Sequence, residues 1–334
     1  MQKKSRLLTS LFSAAVLASA ALLPASASLA AAPMVKTQVP GFYRLMIGNI
    51  EVTALLDGTR GLEKGLLQHT NEKTLNRALD RTFVGNPTMH TAVNAYLINT
   101  GTQLVLVDAG AAGVFGPTLG KLLENMKAAG YQPEQVDHIV ITHLHPDHVG
   151  GIINAQSQPV FPQATVHVAK TENDFWLSKE IASGAPKEMQ PFFKMAQDSA
   201  APYQASGRWK LLPGDGTGEV VPGIKAVDAS GHTPGHRVYL IESEGQKLLM
   251  TGDVFHAHAI QFAEPGVSIK YDADPKKAIA ARKELLKRVA AEKTLIAGSH
   301  LPFPGIGHVV TEGKNSYRWV PIEYTQLPPA AVNP

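Results

Sequence analysis

Three histidines and an aspartate fall within six residues, His143-x-His145-x-Asp147-His148, at the exit of an apolar run from Val136 to Thr142. That run reads as a buried strand, so the four polar groups gather where a strand ends. Residues two apart in an extended chain project to the same side, which lets His143 and His145 share one metal ion. Pro146 then turns the chain into a helix and sends Asp147 and His148 toward a second point, so one short motif can seed two metal sites. The 334 residues include no cysteine. Disulfides, Cys-ligated zinc, iron–sulfur clusters and cysteine nucleophiles are thereby excluded, and any metal is held by histidine and carboxylate.

Two metals need more ligands than this motif supplies, and three other places offer one each. Ser230-Gly231-His232-Thr233-Pro234-Gly235-His236 is a Gly-rich turn after a strand; Asp253 follows Leu248-Leu249-Met250-Thr251-Gly252; His300 follows Leu295-Ile296-Ala297-Gly298-Ser299. Each stands just past an apolar run that would hide it if the strand continued. Of the remaining histidines, His236 reads as a turn residue, and His256 and His258 as pocket lining. His69, His90, His138, His167 and His308 read as surface or loop.

A composition 44% hydrophobic and 18% charged can bury a real core and excludes a disordered chain. Strands are expected at Gly48 to Gly58, Val93 to Asn99 and Gln103 to Val107, the last two forming a hairpin around Thr100-Gly101-Thr102. A helix follows from Pro117 to Ala129, closed by Gly130, and then the Val136 to Thr142 strand. Lys170 to Ala201 reads as helical, broken at Gly184-Ala185-Pro186. Strands at Val220 to Val227, Arg237 to Glu242 and Lys247 to Thr251 lead to a long helix capped by Asp274 with Pro275 at its first position, then a strand from Thr294 to Ala297. This alternation predicts an α/β fold of two sheet–helix layers facing each other.

Lys3, Lys4 and Arg6, then the apolar run Leu7 to Leu23 and the small residues Ala25 to Ala30, form a signal-peptide pattern with cleavage after Ala27 or Ala30. The expectation is a cleaved segment 1–30, a single domain over 31–334, and a periplasmic or secreted protein with no membrane contact after cleavage. Those three basic residues account for the whole formal charge of +3, so no nucleic-acid partner is expected.

The motif and the isolated ligands together resemble the metallo-β-lactamase superfamily, in which H-x-H-x-D-H is followed by His, Asp and His in that order. The likeness spans about Val93 to Pro304. It implies a four-layer αβ/βα sandwich with metals at one edge. By the same resemblance His143, His145 and His232 bind the first metal, Asp147, His148 and His300 the second, Asp253 bridges them, and Asp108 supports from behind. Two divalent ions, zinc by default for these donors, would generate a bridging hydroxide as nucleophile, with Asp147 or Asp253 accepting or relaying a proton.

Within that family the chain is similar to the methyl parathion hydrolase branch and its exported relatives. The matching stretches include Gly116-Pro117-Thr118-Leu119-Gly120, Asp174-Phe175-Trp176-Leu177-Ser178 and Phe303-Pro304-Gly305-Ile306-Gly307-His308. The branch implies an aromatic pocket wall of Phe115, Trp176 and Phe192 or Phe193, and a homodimer. Where its phosphotriesterases carry Arg, Leu, Thr and Leu, this chain has Leu67, His256, Ile269 and Tyr271, a set closer to lactone- and aryl-ester-hydrolysing relatives. The expected substrate is therefore a small aryl ester or a dihydrocoumarin-like lactone. The alternatives are an organophosphate triester and, in a different class, a metal-binding protein without turnover.

Overall fold

A computed structural model describes residues 32–85 and 88–327 of the chain. The expected signal peptide lies outside the described residues. One unit ends at Gln38, and its described residues 32–38 carry no helix or strand; the other runs from Val39 onward.

The second unit begins with β1 (Phe42–Ile47), β2 (Ile50–Leu62), a two-residue β3 (Leu67–Gln68), α1 (Glu72–Thr82), β4 (Met89–Asn99) and β5 (Leu104–Val107). Next come α2 (Leu122–Ala128), β6 (His138–Val140), the single-turn α3 (Pro146–Val149), β7 (Thr165–Val168), α4 (Lys170–Trp176), α5 (Lys179–Gly184), α6 (Gln190–Ala205) and β8 (Trp209–Leu211). They build a seven-stranded sheet ordered β1-β2-β4-β5-β6-β7-β8, antiparallel as far as β5 and parallel beyond it. The chain continues through β9 (Gly218–Val221), β10 (Ile224–Asp228), β11 (Arg237–Ser243), β12 (Gln246–Met250), α7 (His258–Gln261), β13 (Ser268–Ile269), α8 (Pro275–Glu292), β14 (Leu295–Ala297), β15 (Ile306–Gly313) and β16 (Ser316–Pro321). The second sheet has the order β16-β15-β14-β12-β11-β10-β9, and β3 pairs with β13 apart from both.

Alternation along the strands makes the layers. In β5, Val105 and Val107 face the second sheet and meet Tyr239, Ile241, Leu248 and Met250, while Leu104 and Leu106 face outward toward Met126, Trp176 and Phe193. In β12, Leu249 faces the other way, onto Leu285, Leu286 and Val289 of α8. Each sheet is thus covered on both faces, which is why its central strands read as continuous apolar runs. The architecture is the αβ/βα sandwich.

Several boundaries move. The helix expected from Pro117 begins only at Leu122, because Gly120 sits at φ +86° against the Ala112 carbonyl, where a Cβ would come within 2.6 Å, and the Asp57 carboxylate accepts from Leu122 N. The helical stretch from Lys170 breaks also at Ser178, whose hydroxyl caps α5 by accepting from Ile181 N. The strands β1, β7 and β8 and the β15–β16 hairpin were not expected from the sequence.

The ligand-bearing loops leave strands at one edge of the sandwich. β5 and β6 run parallel, and so do β12 and β14; β10 is antiparallel to β11, which is antiparallel to β12, so β10 shares the direction of β12. The C-terminal ends of β5, β6, β10, β12 and β14 are followed by Asp108, His143, His232, Asp253 and His300 respectively.

Candidate metal centre

His143, His145, His232 and Asp253 bring one ligand atom each to within 4.8 Å of one another, and Asp147, His148 and His300 form an adjacent group. Asp253 lies between the two. Its Oδ2 is 3.2 Å from His232 Nε2 and 3.1 Å from His300 Nε2, and its Oδ1 is 3.0 Å from His148 Nε2. His145 presents Nδ1, 3.1 Å from His232 Nε2. Asp147 is the carboxylate open to the cleft, its oxygens 4.0 Å from His148 Nε2 and 3.7 Å from His300 Nε2.

The residues fit two divalent cations. His143 Nε2, His148 Nε2 and Asp253 Oδ1 are fully buried and none has a partner in hydrogen-bond alignment, even though the last two are 3.0 Å apart. They converge on a common point instead of pairing, as metal ligands do, and an uncompensated buried polar atom is otherwise costly.

Three of the ligand imidazoles are tethered on their far side. His148 Nδ1 meets Asp108 Oδ2 at 2.8 Å, and Asp108 also accepts from Thr142 N and Thr142 Oγ1. His300 Nδ1 lies 2.7 Å from the Ala92 carbonyl, and His232 Nδ1 lies 2.9 Å from Asp272 Oδ1. Such partners fix ring orientation and raise ligand basicity.

Electrostatics follow from burial and crowding. Burial opposes charge on Asp253, but the imidazoles of His148, His300, His143 and His256 outweigh it and hold the carboxyl well below the usual range. His143 and His145 are held well below the usual imidazole value, first by burial and then by neighbouring imidazoles, which keeps them in the neutral form that binds metal. For His232, Asp253 and Asp272 overcome burial and raise the value to about 9.

Over the centre opens a cleft walled by Phe115, Phe192, Leu62 and Tyr271. The structure departs here from the sequence expectation. Leu67 and Ile269 do not line the cleft; they are strand partners in β3 and β13 and pack into a buried cluster with Leu75, Leu79 and Ile260. Trp176 and Phe193 are core residues, 1% and 2% exposed. Trp176 reaches the centre only as a wall behind His145, edge to face at 5.2 Å. Both sit on the outer face of the first sheet, where α4 and α6 cover it. Phe115, Phe192, Tyr271 and His256 do line the cleft, and His256 also places Nε2 3.0 Å from Asp253 Oδ2.

Other residues change role. His236 is buried and its Nε2 accepts from Asp253 N at 3.0 Å, so it holds in place the residue whose carboxylate lies between the two ligand groups. His258 lines two outer grooves and not this cleft. His138 and His167 bond each other across β6 and β7 at 3.0 Å. Sequence reasoning missed Asp272, Thr142 and Arg60, whose guanidinium lies 4.5 Å over the Phe115 ring at the cleft wall. No spacing signal marks them.

Fold and donor set define a metal-dependent hydrolase with a dinuclear centre. The model of the Metallo-beta-lactamase superfamily matches residues 89–300, and the chain belongs to that family. It is 27% identical over 226 residues to the N-acyl homoserine lactonase AiiA of Bacillus thuringiensis subsp. kurstaki, covering 61% of this chain and 79% of the relative. Among solved structures, the hydrolase AbOPH of the beta lactamase superfamily is 40% identical with a TM-score of 0.82, over 87% of this chain and 100% of that one. AidC, a dizinc quorum-quenching lactonase solved with its product N-hexanoyl-L-homoserine, is 28% identical with a TM-score of 0.79, over 86% of this chain and 99% of that one.

Proposed function

We propose that this protein hydrolyses lactones and aryl esters of the dihydrocoumarin type, using two zinc ions. The observation that carries this reading is a cleft with aromatic walls, Phe115, Phe192 and Tyr271, opening directly onto the paired ligand groups. Flat apolar walls suit a planar ring and hold its ester carbon over the centre. Lactone hydrolysis is also what the names of AiiA and AidC record for those proteins.

Bound zinc supplies Lewis acidity that polarises the carbonyl oxygen and acidifies water. The chain's own residues do the rest. Asp253, whose two oxygens face His148, His232 and His300, keeps the two ligand groups at a fixed separation. Asp147, with 12% of its side chain exposed, faces the cleft and can take a proton on a carboxylate oxygen and pass it to the departing alkoxide. The acyl C–O bond breaks, the oxygen of water ends in the carboxylate product, and a proton ends on the freed hydroxyl. Phe115, Phe192 and Leu62 exclude bulk water from that exchange.

The test is kcat/KM of the zinc-loaded protein on dihydrocoumarin, an N-acyl homoserine lactone and methyl parathion, side by side. Dihydrocoumarin is expected to lead by at least about tenfold. A homoserine lactone in front would keep lactone hydrolysis and overturn the aryl preference; methyl parathion in front would make the protein a triesterase. Turnover of none would overturn all three substrate readings and place the hydrolase's substrate in another class. We infer export as well, from the basic, apolar and small-residue order of 1–30; N-terminal sequencing of protein from the periplasmic fraction would reveal cleavage after Ala27 or Ala30 if that is right.

A further inference from the structure

The loop that carries His143 and His145 leaves the first sheet, the turn that carries His232 leaves the second, and one side chain joins them. Glu172, in the first turn of α4, is 0% exposed. Its Oε1 accepts from Leu144 N at 2.9 Å, and its Oε2 accepts from Thr233 Oγ1 and from Gly235 N, both at 2.8 Å. Leu144 stands between His143 and His145, and Thr233 follows His232. The fit has no slack: a Cβ on Gly235 would lie 2.3 Å from Glu172 N.

A buried carboxylate is tolerated only when its charge is met by donors. Here all three donors belong to the loops of the first ligand group, so satisfying the carboxylate fixes how far apart those loops stand. The second group is held by other means, His148 by Asp108 and His300 by the Ala92 carbonyl. Glu172 touches neither.

We propose that Glu172 is a positioning residue for the first metal site: by tying the His143–His145 loop to the His232 turn it sets that site's affinity for its cation, and leaves the Asp147–His148–His300 site to its own supports. The proposal rests on the two-metal reading of the centre. Outer partners of metal ligands are worth about 10–100-fold in metal affinity, and that is the loss expected at the first site for Glu172→Gln, whose single amide oxygen serves only one side and whose NH2 then opposes either Leu144 N or the Thr233–Gly235 donors.

The experiment is zinc titration of the full-length protein and of E172Q against a competing chelator, followed by anomalous diffraction at the zinc edge. Wild type should hold two ions, and E172Q should release one at a chelator concentration that leaves wild type loaded. The remaining peak should lie among Asp147, His148 and His300. Tyr203→Phe, which removes a buried hydroxyl on α6 that donates to the Ile152 carbonyl, is the control for simple destabilisation and should keep both ions. If E172Q does not fold, Thr233→Val removes one of the three ties and should weaken the same site by about threefold or more. Unchanged affinities in a folded variant, equal loss from both sites, or loss from the second site would overturn the proposal. A wild-type protein holding fewer than two ions would overturn the two-metal reading itself.

Discussion

Asp272→Asn separates the charge of a supporting carboxylate from its shape. In the native protein Oδ1 faces His232 Nδ1 at 2.9 Å and Oδ2 accepts from Ile269 N at 3.1 Å. Asparagine offers one oxygen, so either the imidazole or the Ile269 amide must face an NH2 group. Losing a charge-assisted bond and leaving one buried donor unpaired costs about 2 kcal/mol together. Part of that cost falls on folding and part on holding the His232 ring in its ligand orientation. If all of it fell on the ring, first-site zinc affinity would drop about 30-fold, with 1.4 kcal/mol per tenfold. The assay is chelator competition on the purified variant, with thermal unfolding of the metal-free protein measured in parallel to apportion the cost. Zinc affinity within twofold of wild type, in a variant that keeps its metal-free melting temperature, would refute the argument that Asp272 orients His232.

Three further predictions follow from the same geometry. Asp253→Ala removes the carboxylate shared by both ligand groups, so metal content should fall below two ions per chain and hydrolysis should be lost; metal analysis and turnover check both. Trp176→Ala should cost about 3–5 kcal/mol of stability in denaturant unfolding, as a core truncation does, whereas Phe192→Ala should raise KM for an aryl substrate with far less loss of stability. Burial, then the neighbouring His138 and Lys210, lower His167 to about 4 from 6.5. A folded value below the unfolded one means that protonation favours the unfolded chain, so stability should fall as pH drops from 6.5 toward 4, by up to about 3 kcal/mol before screening by solvent. His167→Gln should make the melting temperature fall less steeply than in wild type across that window.

The motif at His143 to His148 was legible because its information is local: two-residue spacing on an extended chain, then a proline that turns it. His232, Asp253 and His300 were legible for a related reason, since each interrupts an apolar run just past a strand. Layering was legible from the alternation of strand and helix periods. Asp272 was not, because Lys270-Tyr271-Asp272-Ala273 reads like any surface turn until β13 and α8 bring it 40 residues back to His232. The resemblance places Leu67 and Ile269 at the cleft, yet their pairing across β3 and β13 turns both into the core.

What the sequence alone determined was the chemistry available: histidine and carboxylate donors, no thiols, ligands at strand ends and enough apolar surface for two covered sheets. Only the tertiary structure decided which aromatic side chains face substrate and which fill the core, and which buried carboxylates stand behind which ligand. Those outcomes depend on how two sheets pack and where helices cross them, a matter of contacts between residues far apart in the chain, on which spacing along it is silent.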